Sequence, residues 1–270
     1  MSQIALTERQ RREREYYDTY AKYNSPSSNS IDMSPVYALT EGGEKRPWNS
    51  YWAIYDFAWN HYSEGKALLD FGSGPGENAL RFATIGYRVE GFDISEENVR
   101  IANKLFENKD CFGSFRCATA ESLPYKDESF ELIFGVDILH HVDIPKAMAE
   151  CHRLLRPGGK AFFREPVDAP LFDWLRNTRI VRAVFPKDVS LENHITEDER
   201  KLDSSDEEVM ESKFSNIKKH HYLLFARFDK FYREGADPNP SNLEKLDYFL
   251  IKRLPLLKKF CGVVIYELTK

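Results

Sequence analysis

The sequence predicts an α/β protein. It is expected to be a doubly wound, mostly parallel seven-stranded sheet with an N-terminal helical cap and an insertion after the fifth strand. Three observations carry that expectation. Between Lys66 and Glu165, short apolar runs alternate with helical stretches, the order of a parallel sheet with right-handed crossovers. The first run ends in a cluster of glycines, Gly72, Gly74 and Gly76. After Pro166 the rhythm breaks, and it returns only toward the end of the chain. The expected organisation is a helical cap over 1–62 and a main domain over 63–270, with the insertion at about 167–218.

The elements follow in order. Residues 7–22 read as a helix opened by a Thr7/Gln10 capping box. Asn24–Pro35 is a Ser/Asn/Pro-rich loop, and Pro47–Tyr62 an aromatic helix. Ala67–Phe71 is a buried strand, Glu77–Ile85 a helix, and Arg88–Phe92 a second strand. Ser95 caps the next helix, with Glu96 and Glu97 at its positive end. Phe115–Ala118, Phe130–Val136 and Lys160–Glu165 are the third to fifth strands. Between the last two, a helix from Pro145 stops at Pro157-Gly158-Gly159. Ser205–Ile217 reads as helix, His221–Phe228 as a sixth strand, Leu243–Lys259 as a helix ended or kinked by Pro255, and Val263–Leu268 as the last strand.

Composition sets limits. A chain of 270 residues can bury a full core. Net charge is −5, which weighs against nucleic acid and against an anionic membrane as partners. No apolar run reaches the length of a membrane helix, and Met1–Glu15 is too polar for a secretory signal. Cys111, Cys117, Cys151 and Cys261 form no C-x-x-C pair, which fits reduced thiols and a cytoplasmic protein; no zinc ligand set is expected.

The chemistry lies in Leu68-Leu69-Asp70-Phe71-Gly72-Ser73-Gly74-Pro75-Gly76-Glu77-Asn78. This is strand, glycine turn and helix start, and ligands bind at the carboxyl end of such strands. A dinucleotide fingerprint needs G-x-G-x-x-G, whose third glycine would stand at Glu77. A carboxylate in the first helical turn opposes a diphosphate there, and no Gly-Lys-Ser/Thr follows. The second strand ends in Val89-Glu90-Gly91-Phe92-Asp93, an acid placed to accept from a ribose diol. A nucleoside with a free diol and no diphosphate is what S-adenosylmethionine offers.

In these blocks the sequence resembles the class I S-adenosylmethionine-dependent methyltransferases, in particular the small-molecule group called type 11. The resemblance continues through Ala118–Pro124, Asp127–Phe134 and Leu139-His140-His141-Val142, ending at Arg156-Pro157-Gly158-Gly159, and spans about residues 66–166. It implies a Rossmann-like fold, S-adenosyl-L-methionine as cofactor and S-adenosyl-L-homocysteine as product. It also implies that Asp70, Gly72, Ser73, Gly74 and Gly76 shape the methionine side, that Asp93 and Ile94 hold the ribose, and that Thr119 and Ala120 face adenine. Thr119 departs from the family's Asp, and a hydroxyl bonds an amino group less strongly than a carboxylate. Gly135 and Asp137 would face the methionine moiety, and an N-terminal helix would offer a tyrosine, with Tyr20 and Tyr23 ahead of Tyr16 and Tyr17.

An oxygen or nitrogen acceptor needs a base. His141 and His140, after the fourth strand, are the catalytic candidates, with His141 ahead. The acceptor side is expected from Trp48, Tyr51, Trp52 and Tyr55, from Phe172, Trp174, Phe185 and His194, and from His220-His221-Tyr222, with Arg176, Arg179 and Arg182 to meet an anionic group. The resulting expectation is methyl transfer to an oxygen or nitrogen of a small molecule. Two alternatives stand beside it: an inactive S-adenosylmethionine-binding module, and an NAD(P)-dependent oxidoreductase, which Glu77 disfavours.

Overall fold

The computed structural model describes residues 6–24, 31–61, 63, 65–169, 200–231 and 241–270. Its centre is a seven-stranded sheet of order β3-β2-β1-β4-β5-β7-β6. The strands are β1 (Ala67–Phe71), β2 (Arg88–Asp93), β3 (Gly113–Cys117), β4 (Phe130–Val136), β5 (Leu155–Pro166), β6 (Asn216–Tyr222) and β7 (Val263–Thr269). The first five run parallel, whereas β7 is antiparallel to both β5 and β6.

Side-chain alternation along the strands builds two cores. Leu69, Ile133 and Phe163 pack on one face of the sheet, beneath α6 (Ile144–Leu154) and α7 (Ser204–Lys213). Leu68, Leu132 and Phe162 pack on the other, beneath α3 (Ser50–Trp59), α4 (Glu77–Ile85) and α5 (Glu96–Asn108). Both faces are covered, so a central strand such as β1 is buried along its whole length and is apolar except for Asp70.

Local chemistry sets most of the helix boundaries. In α1 (Glu8–Asn24) the expected box forms: the Thr7 N–H donates to Gln10 Oε1 and the Gln10 N–H to Thr7 Oγ1. Ser95 caps α5 by accepting from the Asn98 N–H at 3.0 Å. Asn49 caps α3 through the N–H groups of Tyr51 and Trp52, so that helix starts later than expected. A short helix, α2 (Ser34–Thr40), starts in the last two residues of the expected loop and continues where no element was expected, with Pro35 in its first turn and Val36 and Ala38 buried.

The sixth strand is a correction. It spans Asn216–Tyr222 instead of 221–228, and α7 ends at Lys213. As an edge strand it has little apolar content and carries Lys218, Lys219, His220 and His221, the charged edge that discourages foreign pairing. Its polarity hid it from a reading based on apolar runs. At the end of α8 (Asn242–Arg253), Pro255 stops the α-helix as expected and opens a 3₁₀ turn, Pro255–Phe260.

Candidate active site

The strand order reverses at β1, between β2 and β4, and at the carboxyl ends of these strands lies an open cleft. It is lined by the glycine turn, the ends of β2 and β4, residues 118–121, His141 and α1.

The three glycines of the turn serve different purposes. All have positive φ: +75° at Gly72, +51° at Gly74 and +88° at Gly76. A Cβ on Gly72 would lie 2.6 Å from Ile138, and one on Gly76 2.9 Å from Ala102. A Cβ on Gly74 would meet nothing within 4 Å. Gly72 and Gly76 therefore allow close packing, while Gly74 leaves backbone open to the cleft. Glu77 turns to Arg81 at 3.5 Å and lines a neighbouring cavity. The absence of the third glycine, rather than a bare charge, is thus what departs from a diphosphate site.

Asp93 fixes this turn. One carboxylate oxygen accepts from the Gly74 N–H at 2.9 Å; the other accepts from the Ser95 N–H at 2.9 Å and Asn98 Nδ2 at 3.3 Å. Burial raises its pKa, and these donors oppose that rise. Asp70 lies beneath the turn, outside the cleft lining, with Oδ2 lacking a hydrogen-bond partner among the described residues. Burial pushes its carboxyl up to about 7; the Ala79 N–H opposes the shift and the charge of Asp93 adds to it. Ser73 is buried and outside the lining, whereas Ile94 lines the cleft.

Thr119, Ala120 and Glu121 form the opposite wall. Glu121 bridges two elements: Oε2 accepts from Gln10 Nε2 of α1 at 2.9 Å, and Oε1 from the Asp143 N–H at 3.0 Å.

The two histidines separate. His140 lies outside the lining, its Nδ1 2.8 Å from Glu165. Glu165 is fully buried and also accepts from the N–H groups of Ile138 and Leu139. It holds the turn after β4, and His140 with it. His141 faces the cleft. Its Nε2 is 3.0 Å from the Tyr17 hydroxyl and its Nδ1 3.3 Å from Glu13.

Asp137 also lines the cleft, with a left-handed φ of +54°. Its carboxylate pairs with Arg164 and accepts from the Tyr51 hydroxyl at 3.1 Å. Burial raises its pKa, Arg164 lowers it, and Glu165 adds to the rise. This corner joins α3 to the end of β4.

Tyr20 lines the cleft; Tyr23, 83 % exposed, does not. Gly135 is outside the lining, where a Cβ would meet Phe163 at 2.6 Å. Tyr51, Trp52 and Tyr55 line the neighbouring cavity that shares Val136 with the cleft. His220, His221 and Tyr222 line a separate cavity with α8. Phe172, Trp174, Arg176, Arg179, Arg182, Phe185 and His194 lie outside the described residues. The sequence reading missed Gln10, Glu13 and Ala21. Their spacing with Tyr17, at i, i+3, i+7 and i+11, was the available signal for one helix face.

The geometry can be set beside known proteins. The family model described as "Methyltransferase domain" matches residues 69–163. That segment belongs to the class I S-adenosylmethionine-dependent methyltransferases. Over 102 residues the chain is 36 % identical to a demethylmenaquinone methyltransferase of Chlorobaculum parvum, covering 37 % of this chain and 41 % of that protein. Over 100 residues it is 35 % identical to a ubiquinone biosynthesis O-methyltransferase of Mesorhizobium japonicum, covering 37 % and 40 %. The chain therefore spans about two fifths of the length of these curated relatives. The fold extends further. A geranyl diphosphate C-methyltransferase from Streptomyces coelicolor A3(2), solved with S-adenosyl-L-homocysteine, superposes with TM-score 0.61 over 98 % of this chain and 99 % of that one, at 14 % identity. The matched methyltransferase domain holds the glycine turn, Asp93, residues 119–121 and both histidines. Tyr17 and its helix lie outside it.

Proposed function

We propose that the protein transfers a methyl group from S-adenosylmethionine to an oxygen or nitrogen of a small-molecule acceptor. The observation that carries this reading is the open backbone at Gly74, tied to a buried carboxylate at Asp93 on the wall of the cleft. The donor set fits the cofactor: a carboxylate for the ribose diol, a glycine that admits close approach, and no Gly-Lys-Ser/Thr for phosphates. When bound, S-adenosylmethionine supplies an electrophilic methyl on sulfur.

The chain supplies position and a proton acceptor. Asp93 would accept from the ribose hydroxyls of the cofactor, and Thr119 and Ala120 would border its adenine. Glu13, 3.3 Å from His141 Nδ1, favours the tautomer that keeps a proton on that nitrogen and leaves Nε2 to accept, and the Tyr17 hydroxyl stands at Nε2 on the cleft wall. The acceptor's proton passes to His141, through Tyr17, as the methyl is transferred. Holding both reactants in line lowers the barrier by about 7–11 kcal/mol in well-oriented systems. The aromatic cavity beside Asp137 takes the body of the acceptor.

Calorimetric titration with S-adenosylhomocysteine and NADH, followed by a labelled-methyl assay on phenols, quinols and amines, tests this. Binding of the sulfur nucleoside and label transfer to one acceptor class are expected. Binding of NADH alone overturns the proposal, and nucleoside binding without transfer to any acceptor reduces it to a binding module.

A further inference from the structure

β6 ends and β7 begins at the edge of the sheet where the cleft opens. Tyr222 pairs with Val263, and Val263 pairs with Pro166 at the end of β5. The excursion between β6 and β7 carries α8 and the turn Pro255–Phe260, and so leaves and rejoins the sheet on the cleft's edge. One face of α8 is fixed inward. Ile251 is buried, and the buried Asp247 accepts from the N–H groups of Leu224, Phe225 and Ala226.

The outward side has an unusual composition. Phe249 is 49 % exposed and Leu256 81 %, with Leu246 and Leu254 beside them. Among the described residues, Leu246, Leu254 and Leu256 are the exposed leucines. The same stretch carries five exposed cations, Lys245, Lys252, Arg253, Lys258 and Lys259; Lys245 reaches over the Trp48 ring at 5.0 Å, and Lys252 and Lys258 also border the cavity that holds His220 and His221. The two acids of 242–260 are engaged inward: Asp247 as described, and Glu244 with Asn49 Nδ2 at 2.8 Å. Arg253 lies over the Phe249 ring at 3.9 Å, which keeps charge and apolar surface together. The exposed charged side chains of 242–260 are therefore all basic, on a chain whose net charge is −5. The whole-chain average that argued against an anionic membrane conceals this patch.

We propose that the face formed by α8 and the Pro255–Phe260 turn docks on an anionic lipid surface, bringing the cleft's edge of the sheet toward the lipid. Exposed leucines and phenylalanine flanked by basic residues suit the headgroup boundary, where apolar side chains insert and cations meet lipid phosphates. A two-fold contact with a second copy would bring two sets of five cations together, which charge repulsion opposes. This proposal is independent of the methyl-transfer reading.

The test is sedimentation of the full chain with vesicles, either equal parts phosphatidylcholine and phosphatidylglycerol or phosphatidylcholine alone. Binding is expected to the anionic vesicles at low salt, with release at high salt and little binding to the neutral ones. Lys258→Glu and Lys259→Glu should each lower the partition coefficient at least about fivefold. Phe249→Ser with Leu256→Ser should lower it about tenfold or more, with a cooperative unfolding transition retained and its midpoint only slightly lower, because Leu256 is largely exposed and Phe249 half exposed. No binding to anionic vesicles at low salt, equal binding to neutral vesicles, or equal binding by the apolar variant overturns the proposal. So does a concentration-dependent dimer that Leu256→Ser abolishes.

Discussion

The cleft has two halves built in different ways. The half proposed to hold the nucleoside has its ribose side, from Gly72 to Asn98, close in sequence: the Gly74 N–H meets a carboxylate 19 residues away. The half proposed to accept the proton is assembled across the chain: Tyr17 meets His141 from 124 residues away, and Gln10 meets Glu121 from 111. One half depends on backbone conformation, the other on a helix docked by polar side chains. The halves should therefore fail separately. Damage to the first should cost cofactor affinity, and damage to the second should cost turnover.

The largest separation is expected at His141. Replacing it with alanine should lower kcat by about 10²–10⁴, the usual contribution of a general base. Affinity for S-adenosylhomocysteine, measured by calorimetry, should change far less. An equal fall in both would erase the distinction between the halves. His140→Ala is a useful contrast: His140 contacts Glu165 outside the cleft, so its loss should act mainly through stability.

Asp70 lies beneath the glycine turn and probes the nucleoside half through its own titration. Its folded pKa, about 7, lies above the ordinary 3.8. Its contribution to stability is therefore fully present below about pH 4 and lost as pH rises toward 7, where the folded state must ionise a buried carboxyl. The loss is on the order of 4 kcal/mol. Asp70→Asn removes this titration. The stability of the variant relative to the parent, from urea unfolding, should therefore rise between pH 4 and pH 8. A constant difference across that range would show that Asp70 is ionised throughout.

Asp93→Ala comes next, with affinity for S-adenosylhomocysteine expected to fall by about 1.5–3 kcal/mol, the range for hydrogen bonds to a charged group. Unchanged affinity would remove Asp93 from the ribose site.

These contrasts also explain what the sequence could reveal. β1, α4 and β4 match their expected limits, because buried parallel strands and a helix flanked by glycines leave local signals. The glycine turn and Asp93 were legible for the same reason: each is a backbone requirement written in adjacent residues. β6 was displaced because an edge strand of Lys and His carries no apolar period. Glu13 was overlooked because a charged residue in a polar helix reads as solvated until His141, 128 positions later, is seen against it. In the structure Glu13 is only 4 % exposed.

The smallest effect tests the joint between the halves. Asp18 on α1 accepts from Ser95 Oγ at 2.6 Å and from the Glu97 N–H at 3.1 Å, so it adds a second acceptor at the start of α5. That start is also where Asp93 accepts from the Ser95 N–H. Asp18→Ala should cost about 1 kcal/mol, the usual value of a lost N-cap. Ser95 still accepts from Asn98 and Arg14 still pairs with Glu96, so α5 and the nucleoside half should persist. The loss should instead appear in α1, as faster hydrogen exchange over 8–24 and a lower kcat, with exchange in β1 and α4 unchanged. If exchange rises equally in α1 and α5, the two halves open as one unit, and the independence drawn from their construction fails at the residue that joins them.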